Sequence, residues 1–499
     1  MSTAPVAVSE ERSSEGVTRV RFHLFVLTFV FVLTLPLVNP LVHGDGVGYY
    51  AYLRAPIIQH NLRFEEDWRH ANLGFAQWRL DSADQLRADQ YTPTGHVDNL
   101  FSVGPAILWS PFFLAAHFAV RVADWLGADI PADGFSPPYR VLVAFGTAFY
   151  GLCALLLSYA LARKYVDASW ALLATIGIWL SSSLPVYMYF NPFWSHALSA
   201  FVLALFLWYW DRTRPERTLS QWLLLGLISG LAVDVYFLNG IFLLIPCLES
   251  LRDYIKDLRS KDRTAFFRLF GSNLVYLAAF VFMLIPTFVS RKIIFGGVLR
   301  FGSYTVLPWN WHAPYWFFVL FSSDHGFLTW TPLLGLAVLG LLFPPSSAKW
   351  LKPYLLLTVV GFFYVISSYP YWDGMSSFGN RFLISLTPIY VLGLAFLLER
   401  GSKLFASARQ AYPTQCLAVS LFALWNLAFI FQWGTHMLPV RGAISWSAMV
   451  HNQFVDVPSR VTHSLESYLL HRNEMMQHIE QEDIEQQKLG THSEGTQGK

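Results

Sequence analysis

An all-α protein that crosses a membrane many times is the fold this chain predicts, and three observations predict it. Of its 499 residues 54% are hydrophobic and 14% charged, against roughly 25% charge in an average soluble domain. Mean hydropathy is +0.39. Several apolar runs approach the roughly 20 residues that cross a hydrocarbon core as a helix, and they are too uniformly apolar for the alternating strands of a barrel.

The spans read in order as 22–42, 104–122, 140–161, 169–187, 195–210, 221–250, 270–294, 326–343, 353–368, 380–398 and 414–435, a polytopic bundle of about eleven to twelve transmembrane helices. The stretch 221–250 is either one long tilted helix or two short ones meeting near Asp234 to Asn239. Residues 1–20 are a polar cytoplasmic tail. The apolar run after them is too long for a signal-peptide core and is retained as the first helix. The transmembrane domain is 21–437, with a long first extracytoplasmic loop over 43–103, and 438–499 is a polar C-terminal tail. That tail, rich in Glu, Gln and His, carries no chemistry in this reading and joins the extracytoplasmic side.

Positive charge sets orientation. Arg19 and Arg21 precede the first helix, and 251–268, 349–352 and 400–409 carry further basic clusters, so these segments are assigned to the cytoplasm of an inner-membrane protein. Segments 43–103, 295–325 and 369–379 then share the opposite face. Arg163-Lys164 and Arg212 to Arg217 conflict with this scheme, because they come out externally if 221–250 crosses once.

Several function classes drop out. A net charge of +2, with Lys and Arg scattered among short loops, argues against a nucleic-acid partner. Cys153, Cys247 and Cys416 lie in or beside apolar runs, as buried small hydrophobes do. No P-loop, zinc-protease or hydrolase nucleophile pattern occurs in a supporting context. Trp and Tyr at span ends, such as Trp309, Trp311 and Tyr369, are interface anchors and carry little functional information.

The first external loop is long enough to be functional. It contains short amphipathic stretches at 49–59 and 81–90, and it opens with Gly44-Asp45-Gly46-Val47-Gly48-Tyr49-Tyr50-Ala51-Tyr52-Leu53-Arg54. Small residues there let backbone approach a ligand, and Asp45 can take an acceptor's proton or bind a divalent cation. Tyr49 and Arg54 are substrate-binding candidates in the same segment. The plain alternative is that Asp45 caps a helix starting near Tyr49. On the same side, 369–382 carries Asp373 and, after Ser-Phe-Gly-Asn, Arg381. A guanidinium suits a lipid phosphate, though an interfacial Arg that merely snorkels would look the same. Asp324 and His325 abut the next span and either orient a substrate or cap a helix. His196 follows a Pro-broken join at Asn191-Pro192, where polar groups often line cavities. His96 and Asp98 precede Gly104-Pro105-Ala106-Ile107-Leu108-Trp109-Ser110-Pro111-Phe112-Phe113, which shapes a helix entrance. Asp234 is a carboxylate at membrane depth, expensive unless it faces protein or water.

Taken in order, the acidic residue after the first span, the long loop, the Gly-Pro-Ala-Ile-Leu-Trp-Ser-Pro-Phe-Phe entrance, Ser322-Ser323-Asp324-His325-Gly326-Phe327 and Trp372-Asp373-Gly374-Met375-Ser376-Ser377-Phe378-Gly379-Asn380-Arg381 resemble bacterial multi-spanning glycosyltransferases of the GT-C class. The resemblance covers most of 20–435 and extends to protein O-mannosyltransferases and lipid A aminoarabinose transferases. It implies an inverting transfer from a polyprenyl-phosphate-linked sugar to an envelope lipid, glycan or protein, within the bilayer and on its external face. Asp45 then corresponds to the base or metal contact and Arg381 to the basic position after Ser-Phe-Gly. Two departures stand out: Asn380 where relatives often carry a second basic residue, and Asp234-Val235-Tyr236 where they carry Arg-Pro. The alternatives are a non-catalytic translocator of lipid-linked saccharide or polysaccharide, or an inactive scaffold. Transporters more often carry internal repeats and mid-membrane charge, whereas the polar groups here gather at external span ends.

Overall fold

Proline sets the end of the first helix. In the computed structural model α1 runs Ala4–Thr34 and tightens into a 3-10 turn over Leu35–Leu37, where Pro36 lacks the N–H that another α-turn needs. The apolar run predicts helix to 42, but the chain leaves it at Leu37. The structure describes residues 4–494 apart from 215, 301, 303–306 and 440–441. Parts of both tails and of the expected 295–325 loop therefore lie outside the described residues.

The other principal helices are α2 (Asp45–Arg54), α3 (Gly104–Trp125), α4 (Pro137–Ala162), α5 (Ala168–Leu180), α6 (His196–Thr213), α7 (Leu219–Val235), α8 (Leu244–Ser260), α9 (Arg263–Phe295), α10 (Pro332–Gly340), α11 (Lys352–Ser368), α12 (Thr387–Ser402), α13 (Ala408–Gly434), α14 (Val457–Leu470) and α15 (Arg472–Glu494). No strand occurs among the described residues, only isolated bridges at Leu80–Leu86 and Tyr91–Val97. The amphipathic stretch at 81–90 is thus turn and bridge, with helix only at its end, Ala88–Gln90. Among the described residues seven helices are long and apolar enough to cross a membrane.

Of the remaining expected spans, 195–210 is one continuous helix, while 169–187, 221–250 and 326–343 are interrupted, because breaks are tolerated where protein, not lipid, satisfies the freed backbone. α5 stops at Leu180, and Asn426 Nδ2 donates to the carbonyls of Leu180 and Ser182 at 3.0 and 2.9 Å. The stretch 221–250 is two legs joined by a 3-10 turn at Phe237–Leu243. Asn239 Nδ2 closes that turn on the Ala232 carbonyl at 2.9 Å.

This break resolves the orientation conflict. Arg19 pairs with Asp167 at 3.2 Å, Lys164 with Asp211 at 2.6 Å, and Arg217 with Glu249 at 3.0 Å. These contacts gather Arg163-Lys164, Arg212 to Arg217 and the start of the first span at one basic end. α7 leaves that end and α8 returns to it. Leu37, Asp45, Ser195 and Arg381 occupy the opposite end. Of the three cysteines, Cys247 is exposed and the other two are half-buried, so none is fully enclosed.

Close helix contact fixes part of this end-to-end arrangement. A Cβ on Gly340 would lie 1.9 Å from the Gly393 carbonyl oxygen, and one on Gly393 would lie 2.0 Å from that of Ala337. Backbone cannot yield as a side chain can. Gly340→Ala should therefore part α10 from α12 and destabilise the protein by at least ~1–3 kcal/mol, read as a lower thermal midpoint in detergent.

Candidate active site

α2 is buried on every face from Gly46 to Arg54, so it needs partners for its polar tips. Tyr50 donates to the Gly134 carbonyl at 2.6 Å and Tyr52 to the Asn99 carbonyl at 2.9 Å. The glycines serve packing, since Cβ atoms at 46 and 48 would meet Phe193 at 2.7 Å and Phe101 at 2.0 Å. They approach protein where the sequence suggests a ligand.

The cap of α2 is Gly44, with φ +56 and no side-chain cap. A Cβ there would be strained and would also press on Trp194 at 3.0 Å. Asp45 is the first helical residue, so its carboxylate is not a cap. Arg381 Nη1 instead donates to Asp45 Oδ2 at 2.9 Å, across 336 residues. The Asp45 side chain is 34% exposed and that of Arg381 8%. The positive end of α2 also favours a carboxylate at this position.

Arg381 opens a 3-10 turn, Arg381–Leu386, ahead of α12. Its guanidinium lies 4.4 Å from the Trp194 ring centroid, and its Nε is buried without a protein partner. A snorkelling arginine would reach for water, and this one reaches inward. Asn380, where the resemblance has a basic residue, donates to the Trp372 carbonyl at 3.0 Å and closes the preceding loop.

Both charges line a cavity of about 1340 Å³, above the ~300–1,000 Å³ of a drug-sized site. One set of lining residues is apolar, including Leu37, Leu180, Leu427, Ile430, Phe431 and Leu465. Another is polar, including Asp67, His70, Asn72, Arg79, Gln90 and Arg140. Such a space accepts an amphiphile: a charged or hydroxylated head beside a greasy chain.

The charged lining sets Asp45, Asp67 and Glu480 against Arg79, Arg140 and Arg381. Arg79 bonds the Phe75 carbonyl at 2.9 Å and stacks on that ring, with no carboxylate partner among the described residues. Burial works against its charge, which the fields of Asp45 and Asp98 support. His43 also lines the cavity, and burial lowers its pKa, which keeps it neutral near pH 7. Burial likewise pushes the Asp98 carboxyl and the Tyr49 phenol up.

Other expected site residues turn elsewhere. Arg54 is 1% exposed and grips Asp67 with two bonds, Nε–Oδ1 at 2.7 Å and Nη2–Oδ2 at 3.0 Å. Its role is structural, and burial holds the Asp67 carboxyl above the usual range even so. Removing one partner with Asp67→Ala should cost about 3–5 kcal/mol of stability, measurable by unfolding in detergent. Tyr49 is buried against Phe101 and its oxygen accepts from Ser195 at 3.0 Å. His196 is buried edge-on between Tyr187 and Tyr236, while its neighbours Asn191 and Trp194 line the cavity. His325 Nδ1 meets the Asp373 carbonyl at 2.6 Å, with Asp324 3.9 Å away. That contact ties two predicted segments together beside the cavity, whose lining includes Gly374 to Ser376 but none of these three residues. His96 bonds Thr94 at 3.1 Å, also outside the lining. Asp234 accepts a hydrogen bond from Thr287 and is buried.

A divalent cation does not fit the donors present. Asp45 already carries a guanidinium, Asp67 is held by Arg54, and Glu480 is held by Asn72 and the Gly74 N–H. Among the described residues no three His, Cys, Asp or Glu side chains converge.

Sequence reasoning missed Arg79, Arg140, Asn72 and Glu480, all of which line the cavity. No motif marks them. Glu480 in particular lies in the tail to which no chemistry was assigned.

No family model and no curated protein matches the chain. Solved structures do, among them an oligosaccharyltransferase and ArnT. One is the Archaeoglobus fulgidus oligosaccharyltransferase in complex with zinc and sulfate, at 15% identity and a TM-score of 0.48, covering 82% of this chain and 53% of that one. The chain thus spans about half that enzyme's length. ArnT from Cupriavidus metallidurans is similar in its apo state, at 14% identity and a TM-score of 0.44, with 91% of this chain and 75% of that one covered. Its form bound to undecaprenyl phosphate gives 14% identity, a TM-score of 0.45 and coverage of 89% and 77%.

Proposed function

We propose that this chain is a membrane glycosyltransferase that moves a sugar from a polyprenyl-phosphate donor to an envelope acceptor by a single inverting displacement. One observation carries the reading: Asp45 and Arg381 meet in a cavity with both apolar and polar lining. The apolar residues receive the prenyl chain and the polar ones receive sugar and acceptor. Arg381 and Arg79 hold the donor phosphate, Arg79 supplying the second cation that position 380 lacks.

In the step, the acceptor hydroxyl oxygen attacks the anomeric carbon as the bond from that carbon to the phosphate oxygen breaks. The hydroxyl proton passes to Asp45. The phosphate leaves as the polyprenyl phosphate monoester, its new charge met by the guanidinium of Arg381. Because Arg381 occupies Oδ2, Oδ1 is the oxygen left to take the proton. The basic end, with Arg19, Lys164 and Arg217, supports a cytoplasmic assignment by the distribution of positive charge. The site end is then extracytoplasmic, where a lipid-linked donor and an envelope acceptor meet.

The test uses the full chain in nanodiscs with undecaprenyl-phosphate-linked labelled sugars and an envelope extract. Transfer moves label from the lipid to the acceptor and releases undecaprenyl phosphate. A translocator would carry the intact lipid-linked sugar across a vesicle membrane with no label leaving the lipid, and that result would overturn the proposal.

A further inference from the structure

We infer that Glu480, on the last helix α15, is a positioning residue that holds the Asp45 loop through Asn72. The inference deepens the function proposed above and rests on it. Glu480 Oε1 accepts from Asn72 Nδ2 at 2.6 Å and from the Gly74 N–H at 2.9 Å. The other end of the same amide, Asn72 Oδ1, accepts from the Gly44 N–H at 3.3 Å. Gly44 immediately precedes Asp45.

The chemistry of the relay fixes its direction. A carboxylate only accepts, so it turns the NH2 of Asn72 toward itself and leaves the amide oxygen for Gly44. Without Glu480, Asn72 is free to flip and present NH2 to an N–H. Gly44 carries no side chain and caps α2 by backbone alone, so the turn relies on tertiary contacts, of which the Arg381–Asp45 bond is one. A further anchor is Trp194 Nε1, which donates to the His43 carbonyl at 3.1 Å and whose ring lies under Arg381. Glu480 and Trp194 thus hold the two sides of the turn that presents the base.

The end of α14 and the start of α15 are themselves held in place. Tyr468 donates to the Leu37 carbonyl at 2.9 Å, and Arg472 Nη1 to the Val38 carbonyl at 2.6 Å. Met475, Met476 and Ile479 from the same helix line the cavity. The helix therefore closes over the substrate space while its carboxylate sets the register of the catalytic loop.

The full chain is compared with Glu480→Ala, Glu480→Gln, Asn72→Asp and the pair Asn72→Asp with Glu480→Gln. Two readouts are taken: hydrogen exchange of the 43–54 segment, and kcat and KM with an undecaprenyl-phosphate-linked labelled sugar. Glu480→Ala should speed exchange at 44–47 and lower kcat on the order of tenfold, with KM for the donor changed less than about twofold. Glu480→Gln, which keeps an accepting oxygen, should restore most of both. Asn72→Asp sets two carboxylates face to face and should lose activity, and adding Glu480→Gln should recover much of it because a donor then faces an acceptor again. Wild-type kcat in Glu480→Ala, a loss in KM alone, or Gln as poor as Ala would each overturn the inference. If the wild-type chain transfers nothing, the proposed function fails, and the exchange data alone decide whether Glu480 positions the loop.

Discussion

Asp45→Asn should lower the transfer rate on the order of 10²–10⁴-fold, the usual contribution of a positioned general base, while the protein still inserts and folds. Asparagine is nearly isosteric and keeps an oxygen for Arg381 Nη1, which now reaches Oδ2 at 2.9 Å. The cap of α2 is also preserved, because Gly44 makes it without the Asp45 side chain. What the change removes is the capacity to take a proton. Binding of undecaprenyl phosphate should be at least as tight as before, since Arg381 loses its competing anion. Turnover at the wild-type level in reconstituted membranes would take Asp45 out of the chemistry.

Arg381→Gln should weaken undecaprenyl phosphate binding by about 30-fold to several thousandfold, equivalent to the ~2–5 kcal/mol for losing one partner of a buried charge pair. On the proposed function, the guanidinium held over Trp194 is the rigid fork that would engage the phosphate. Arg381→Lys should recover only part of the affinity, because a point charge cannot reproduce the fork or the stacking. Titration of purified protein in detergent with undecaprenyl phosphate reads both variants. Unchanged affinity would mean that Arg381 serves Asp45 alone.

Hydropathy made the helical membrane fold legible, because greasy length is written locally. The meeting of Asp45 and Arg381 was reachable from order along the chain, since both stand at span ends assigned to one face. The limits are physical. Arg54 looks like a ligand contact in sequence because a charge in an aromatic helix is conspicuous, but its partner Asp67 arrives from a separate short helix that periodicity does not position. His196 was conspicuous for its residue type, yet it is buried between Tyr187 and Tyr236 while Trp194 lines the cavity. The turn at 237–243 falls where Asp234 and Asn239 interrupt an apolar run, but hydropathy alone left one crossing and two equally open. Arg79 and Glu480 act through tertiary contacts with no local signature.

The docking of α15 onto the first loop has a consequence for biosynthesis. Asp45 is translated long before Glu480, so a nascent chain already threaded into the bilayer carries the Asp45 loop without this support until α15 has been made. On the function proposed above, catalytic competence would then arise only once α15 has emerged and docked.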